Sequence, residues 1–155
     1  MNRRQTIPRQ WLIVTDASRA TWPAVRKLPI TSGILLILAD VSARDRQNLM
    51  RRLRRLARSR YLTIVDELDG DALRVHDLRQ LRRALLHRTP FILLSPMYPT
   101  GSHPDLSPLP RMRAAALARL AGRRLVALGG MNERRFAQVR ALGFQAWAGI
   151  SAFRT

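Results

Sequence analysis

Seven short apolar runs, Trp11–Thr15, Ile34–Ala39, Tyr61–Val65, Leu73–His76, Phe91–Met97, Leu125–Leu128 and Ala146–Ser151, recur along this chain with helical patterns between them. They are rich in Val, Ile and Leu throughout rather than alternating with polar residues, which is how strands covered on both faces read. The expected sheet is therefore parallel. Repeated β-α units either close into a barrel or open into a doubly wound sheet. A chain of 155 residues is short for an eight-unit barrel, which usually takes about 250, so length favours the open sheet.

The helices between the runs have readable ends. Ser42 followed by Asp45 has capping-box spacing and opens a helix to about Arg60, with Leu49, Met50, Leu53, Leu56 and Ala57 on one face. Asp77 caps a second, in which Leu78, Leu81 and Leu85 recur at helical spacing. Pro110 suits the first turn of a third, with Met112, Ala116 and Leu120 expected inward and Gly122 as its stop. Asn132 caps a fourth, burying Phe136, Val139 and Leu142 before Gly143. Thr21–Leu28, interrupted by Pro23, reads as a short helix. No low-complexity tract or linker divides the chain, so residues 1–155 are expected to form one domain.

Composition narrows the function classes. There are no cysteines, hence no disulfide framework and no thiolate chemistry. No apolar run approaches the roughly 18 residues of a membrane span, so the expectation is a soluble, cytoplasmic protein with no membrane partner. The 28 basic residues against 10 acidic ones give a formal charge of +18, and all the cations but Lys27 are arginines. They are spread over nearly every segment, and aromatics make up only 6%. The dense cluster Arg51–Arg60 reads either as a solvated helix face or as a functional basic surface; nucleic acid is expected to bind only nonspecifically.

The chemistry gathers at strand ends. Gly129-Gly130 follows one strand and precedes the helix start at Asn132, and Gly149-Ile150-Ser151 sits at the equivalent place one unit later. Paired loops after the last two strands form the phosphate site of β/α barrels, so a phosphorylated small molecule is the expected ligand. The Tyr98–Pro110 loop carries Thr100 and Ser102, suited to hydrogen-bond a phosphate, and His103, suited to pair with one when protonated. Asp16, Asp40, Asp66 and Asp77 also end strands, where carboxylates hold Mg²⁺ or serve as helix caps. His76 adjoins Asp77 at the same rim. The Walker, dinucleotide-binding, zincin and nucleophile-elbow motifs are missing.

Taken together, Trp11–Asp16, the run Ser95-Pro96-Met97-Tyr98-Pro99-Thr100-Gly101-Ser102-His103-Pro104-Asp105, Val126–Met131 and Gly149–Phe153 resemble the thiamine-phosphate synthase family. That resemblance implies a TIM-type parallel β/α barrel, shortened by about one β-α unit. It also implies a transferase of thiamine biosynthesis that joins a hydroxymethylpyrimidine diphosphate to a thiazole phosphate, releasing pyrophosphate with Mg²⁺; related thiazole tautomerases share the fold. Carried over, Thr100 and Ser102 match the hydroxyl residues of the family's P-T-x-[ST]-K-P-D loop. Gly129 and Gly130 match its double glycine, and Ile150 and Ser151 its last phosphate-binding turn. Asp66 and Asp77 are the candidate metal ligands.

Departures from the pattern matter as much. His103 stands where the family has lysine, and Asp40 where a Gln-x-Arg-x-Lys motif ends the second strand. One β-α unit is missing relative to the family, placed between Asp77 and Phe91, and the strand edges it would leave call for a homodimer partner or altered closure. Three functions stay open: synthase, thiazole-phosphate-binding or tautomerase-like protein, and basic polyanion-binding domain.

Overall fold

The computed structural model describes residues 7–19 and 21–154. Seven strands form, at the expected places: β1 (Gln10–Val14), β2 (Gly33–Leu36), β3 (Thr63–Asp66), β4 (Ala72–Val75), β5 (Phe91–Leu94), β6 (Leu125–Leu128) and β7 (Ala146–Gly149). All pair in parallel, in the order β3-β2-β1-β7-β6-β5-β4. That is the cyclic order of a barrel with one joint left unmade. The first and last strands pair, Trp11 opposite Ala148, while β3 and β4 form the two edges. The fold is a shortened, TIM-like curled sheet.

The position of the seam has a simple cause. Each pair of consecutive strands that hydrogen-bonds is joined through a helix: α1 (Thr21–Lys27), α2 (Ala43–Arg60), α3 (Leu78–Leu86), α4 (Arg111–Ala121) or α5 (Glu133–Val139). Between β3 and β4 lie only residues 67–71, with a single 3-10 turn over Glu67–Asp69. A parallel ladder needs a crossover of about a dozen residues, and this connection is too short to supply one. The expectation of a gap between Asp77 and Phe91 is corrected here: that stretch is a complete crossover through α3, and the strands it joins pair in register, Ala72 with Phe91 through Val75 with Leu94.

Alternation along the strands sorts the core. Trp11, Ile13, Leu35, Val65, Ala72, Leu93, Val126, Ala146 and Ala148 point into the curl of the sheet and form one cluster. Leu12, Val14, Ile34 and Leu36 face α1 and α2, whereas Val75, Ile92, Leu94, Leu125 and Ala127 face α3 to α5. The largest side chain of this interior is the Trp11 ring. Trp11 lies so close to Gly33 that a Cβ there would sit 2.1 Å from the indole, and it meets Phe91 edge-on at 5.0 Å.

The caps form as expected. Ser42 accepts from the Asp45 N–H and donates to its carboxylate, Asp77 accepts from the Gln80 N–H, and Asn132 from the Arg135 N–H. One face is corrected. In α4 the buried residues are Ala114, Leu117, Ala118 and Ala121, while Met112 and Leu120 are 82% and 57% exposed. Three alanines let α4 approach closely; Met and Leu at those positions would hold it away. No helix among the described residues is long and apolar enough to cross a membrane.

Candidate functional site

The C-terminal ends of the strands open onto a cavity of about 450 Å³, within the range of small-molecule sites. All seven expected binding residues line it: Thr100, Ser102 and His103 from the long loop, Gly129 and Gly130 after β6, and Ile150 and Ser151 after β7. Ile13, Ile37 and Leu128 supply apolar wall.

Two constructions meet around this cavity. On the β6–β7 side, backbone dominates. Gly129 and Gly130 have φ of +92° and +61°, which L side chains rarely adopt. The incoming loop also crowds them: a Cβ on Gly129 would lie 2.8 Å from Pro96 Cα, and one on Gly130 2.5 Å from the Pro99 carbonyl. The loop is laced down there by Met97 N–H to the Leu128 carbonyl at 2.9 Å and Tyr98 N–H to the Gly129 carbonyl at 3.1 Å. Its far end is held by Leu109 N–H to the Pro96 carbonyl, also at 2.9 Å. Arg135 covers the Tyr98 ring and donates to the Gly130 carbonyl, and the Tyr98 hydroxyl donates to Gln138. The double glycine is thus demanded by packing before any ligand is considered.

On the β4–β5 side, side chains dominate. Arg74 and His76 extend from β4 and its end into the lining, with Ser95 from the end of β5. His76 Nδ1 is 2.7 Å from the Ser95 carbonyl oxygen, which holds the ring in place. Arg74 pairs with Glu67 through Nε to Oε1 at 2.7 Å, and its side chain is 42% exposed because the unmade β3–β4 joint lies beside it. Arg154 joins from beyond β7. The lining therefore contains two arginines and two histidines and no carboxylate.

Arg74 and Arg154 are residues that the sequence reading did not single out. The available signal for Arg74 was period two: Ala72 and Arg74 share the inward face of β4, and a charge there points either into the cavity or out through a seam. Asp40, expected with the other strand-end carboxylates, sits in an exposed turn beyond β2 and is not part of the lining.

The metal-ligand expectation also changes. Asp66 is 3% exposed, takes two hydrogen bonds from Arg46 at 2.6 and 3.0 Å, and accepts from the Leu68 N–H. Asp66 and Asp69 together hold the Arg46 guanidinium above its ordinary pKa. Asp77 caps α3. Neither lines the cavity, and no cluster of three possible ligands occurs among the described residues. A carboxylate already committed to a guanidinium, and another committed to a helix end, do not fit a magnesium ion shared with substrate phosphates. Asp16, at the end of β1, accepts from the Ser18 N–H and the Thr21 hydroxyl; these bonds, with Arg154 nearby, hold its carboxyl below the ordinary 3.8.

Comparison with known structures gives the same picture of the fold. A thiamine phosphate pyrophosphorylase from Pyrococcus furiosus superposes with a TM-score of 0.76 at 16% identity, covering 97% of this chain and 89% of that one. One from Bacteroides thetaiotaomicron gives 0.62 at 13%, covering 94% and 83%. A FabK mutant from Thermotoga maritima gives 0.52 at 13%, covering 95% of this chain and 62% of that one. No curated protein sequence matches significantly. Residues 72–153, which carry β4 to β7 and most of the cavity lining, match the model of the thiamine monophosphate synthase family, and the chain belongs to that family.

Proposed function

We propose that this protein is a thiamine-phosphate synthase whose pyrophosphate-binding half has been rebuilt around Arg74. The observation that carries the reading is a cavity whose lining presents the guanidiniums of Arg74 and Arg154 beside His76 and His103 and holds no carboxylate, Glu67 pairing with Arg74 from outside it; fixed cations are what two phosphorylated substrates require. In this reaction the thiazole nitrogen attacks the methylene carbon of the pyrimidine diphosphate. The C–N bond forms as the C–O bond breaks, and pyrophosphate leaves with the electron pair. Charge develops on the leaving group, so a cation placed there lowers the barrier, as other electrostatic stabilisers do.

The residues divide the work. Gly129, Gly130, Ile150 and Ser151 present backbone and one hydroxyl to the thiazole phosphate. Arg74 and Arg154, with Thr100, Ser102 and His103, face the diphosphate. A guanidinium offers paired donors that suit phosphate oxygens, and it answers the loss of the family's lysine at His103. Ile13, Ile37 and Leu128 give the two rings an apolar place to meet. The family's Mg²⁺ would add charge neutralisation at the diphosphate, but Asp66 and Asp77 as arranged are not its ligands.

Incubating the protein with both phosphorylated precursors and Mg²⁺ is expected to yield thiamine phosphate, and Arg74→Ala to lower kcat/KM about 100-fold. No product at high enzyme concentration rejects the synthase. The committed state of Asp66 and Asp77 favours a second reading in that event, a thiazole-phosphate-binding protein. It requires the phosphorylated thiazole to raise the melting temperature; no shift at millimolar ligand rejects that as well.

A further inference from the structure

The outer face of α2 is the densest concentration of charge in the molecule, and the cavity does not use it. Its 18 residues include eight arginines. Half of these have identifiable structural employment. Arg46 pairs with Asp66 and Asp69, Arg60 donates to the carbonyls of Arg26 and Leu28, Arg52 lies 4.0 Å over the Trp22 ring, and Arg51 reaches Asn48. Arg54, Arg55 and Arg58 have no acidic partner among the described residues, yet they stand within about one turn of one another.

Two clefts flank them. One, of about 630 Å³, is lined by Arg46, Arg51, Arg54, Arg55 and Arg58, with Asp69 as its one acid. The other, of about 400 Å³, is lined by Arg26, Arg52, Arg55 and Trp22. The Trp22 indole N–H is buried there without an acceptor among the described residues.

We propose that this face docks duplex DNA through its sugar-phosphate backbone. Charge complementarity names a polyanion: Arg51 to Arg58 spans about 10 Å of helix axis, against a duplex carrying one phosphate charge per ~1.7 Å. The composition of the face narrows the choice. Its exposed positions carry no large apolar side chain to insert beneath lipid headgroups, as an interfacial helix requires. Nor do they carry an aromatic platform for unpaired bases; Tyr61 lies just beyond the helix end. Between duplexes, the major groove of B-DNA is wide enough to admit a helix and the phosphates that border it are then in reach of its arginines, whereas the major groove of duplex RNA is too narrow.

The test is salt-dependent binding of a fluorescent DNA duplex by the intact protein, with two charge-matched variants. Arg54→Gln/Arg55→Gln/Arg58→Gln removes three charges from α2. Arg79→Gln/Arg82→Gln/Arg83→Gln removes three exposed charges from α3, which likewise have no acidic partner among the described residues. The α2 variant is expected to lower the slope of log K against log salt by about 2.7 and to weaken binding at least tenfold at 0.1 M salt, with the α3 variant within threefold of the parent. An Arg→Lys triple at the α2 positions keeps the charge and is expected to keep most of the affinity, which separates loss of the site from loss of folding. Equal losses in the α2 and α3 variants would reduce the effect to net charge and overturn the proposal. So would absence of duplex binding, or equal affinity for duplex RNA, single strands, an acidic protein or anionic vesicles. None of the α2 residues lines the cavity, so synthase activity is expected to survive in both variants, and the two proposals fail independently.

Discussion

The two rims of the cavity are built by different means. Along β6 and β7, positive φ and close backbone packing shape the rim, and the side chains nearest the turn are absent because there is no room for them. Along β4, beside the unmade joint, the rim is a guanidinium on a strand, partnered by a glutamate from the shortened connection. A backbone site tolerates almost no substitution, while a side-chain site can be rebuilt with another cation if the geometry reaches. The family resemblance is strong at Gly129-Gly130 and Gly149-Ile150-Ser151 and kept at the Thr100 and Ser102 hydroxyls, and it breaks at the cationic positions, His103 and the end of β2.

Substitution can break this contrast or sharpen it. The largest effect is expected from Gly130→Ala, which combines an unfavourable φ with a collision at the Pro99 carbonyl. It should cost about 2–4 kcal/mol in urea unfolding and remove ligand binding with it. An unchanged midpoint would mean that the loop, not the glycine, gives way. Next comes Asp66→Ala, which deprives Arg46 of its buried partner and should lower the thermal midpoint by several degrees while leaving the response to thiazole phosphate intact. Loss of that response would tie the β3 edge to the site.

Arg74→Ala should behave in the opposite way. A half-exposed pair contributes about 0–1 kcal/mol to folding, so stability should barely move while affinity for the pyrimidine diphosphate, read by calorimetry, falls at least tenfold. Comparable losses in both would make Arg74 a structural residue. The smallest effect concerns Asp16. Its carboxyl is held below 3.8 in the fold, so its contribution is fully present at neutral pH and above the unfolded value, and is lost as pH falls through the depressed folded value. Asp16→Asn should therefore flatten the stability profile below about pH 4 and change little of its shape above pH 5.

How much of this was legible in the residues depends on the range of the interaction. Strands and caps are local, and Ser42, Asp77 and Asn132 each cap the helix that spacing assigns to them. The face of α4 was not legible, because apolar residues occur on both sides of that helix and the side built of Leu117 and three alanines, not the one with Met112 and Leu120, turned inward. Asp66 and Asp77 read as ligands because strand ends share a rim, but whether a carboxylate faces the cavity depends on which partner reaches it first, Arg46 in one case and a helix N–H in the other.

The amino-acid sequence by itself determined the seven strands, the capped helices and the glycine turns after β6 and β7, since all of these follow from neighbours a few residues apart, and the unbroken apolar character of the strands pointed to a parallel sheet. Only the tertiary structure decided where the ring of strands stays open and which arginines look into it. Residues 67–71 are too few to carry a crossover, and that length constraint leaves β3 and β4 as edges. The register of β4 then turns Arg74 toward the cavity, an outcome that depends on how distant strands pair rather than on any local pattern.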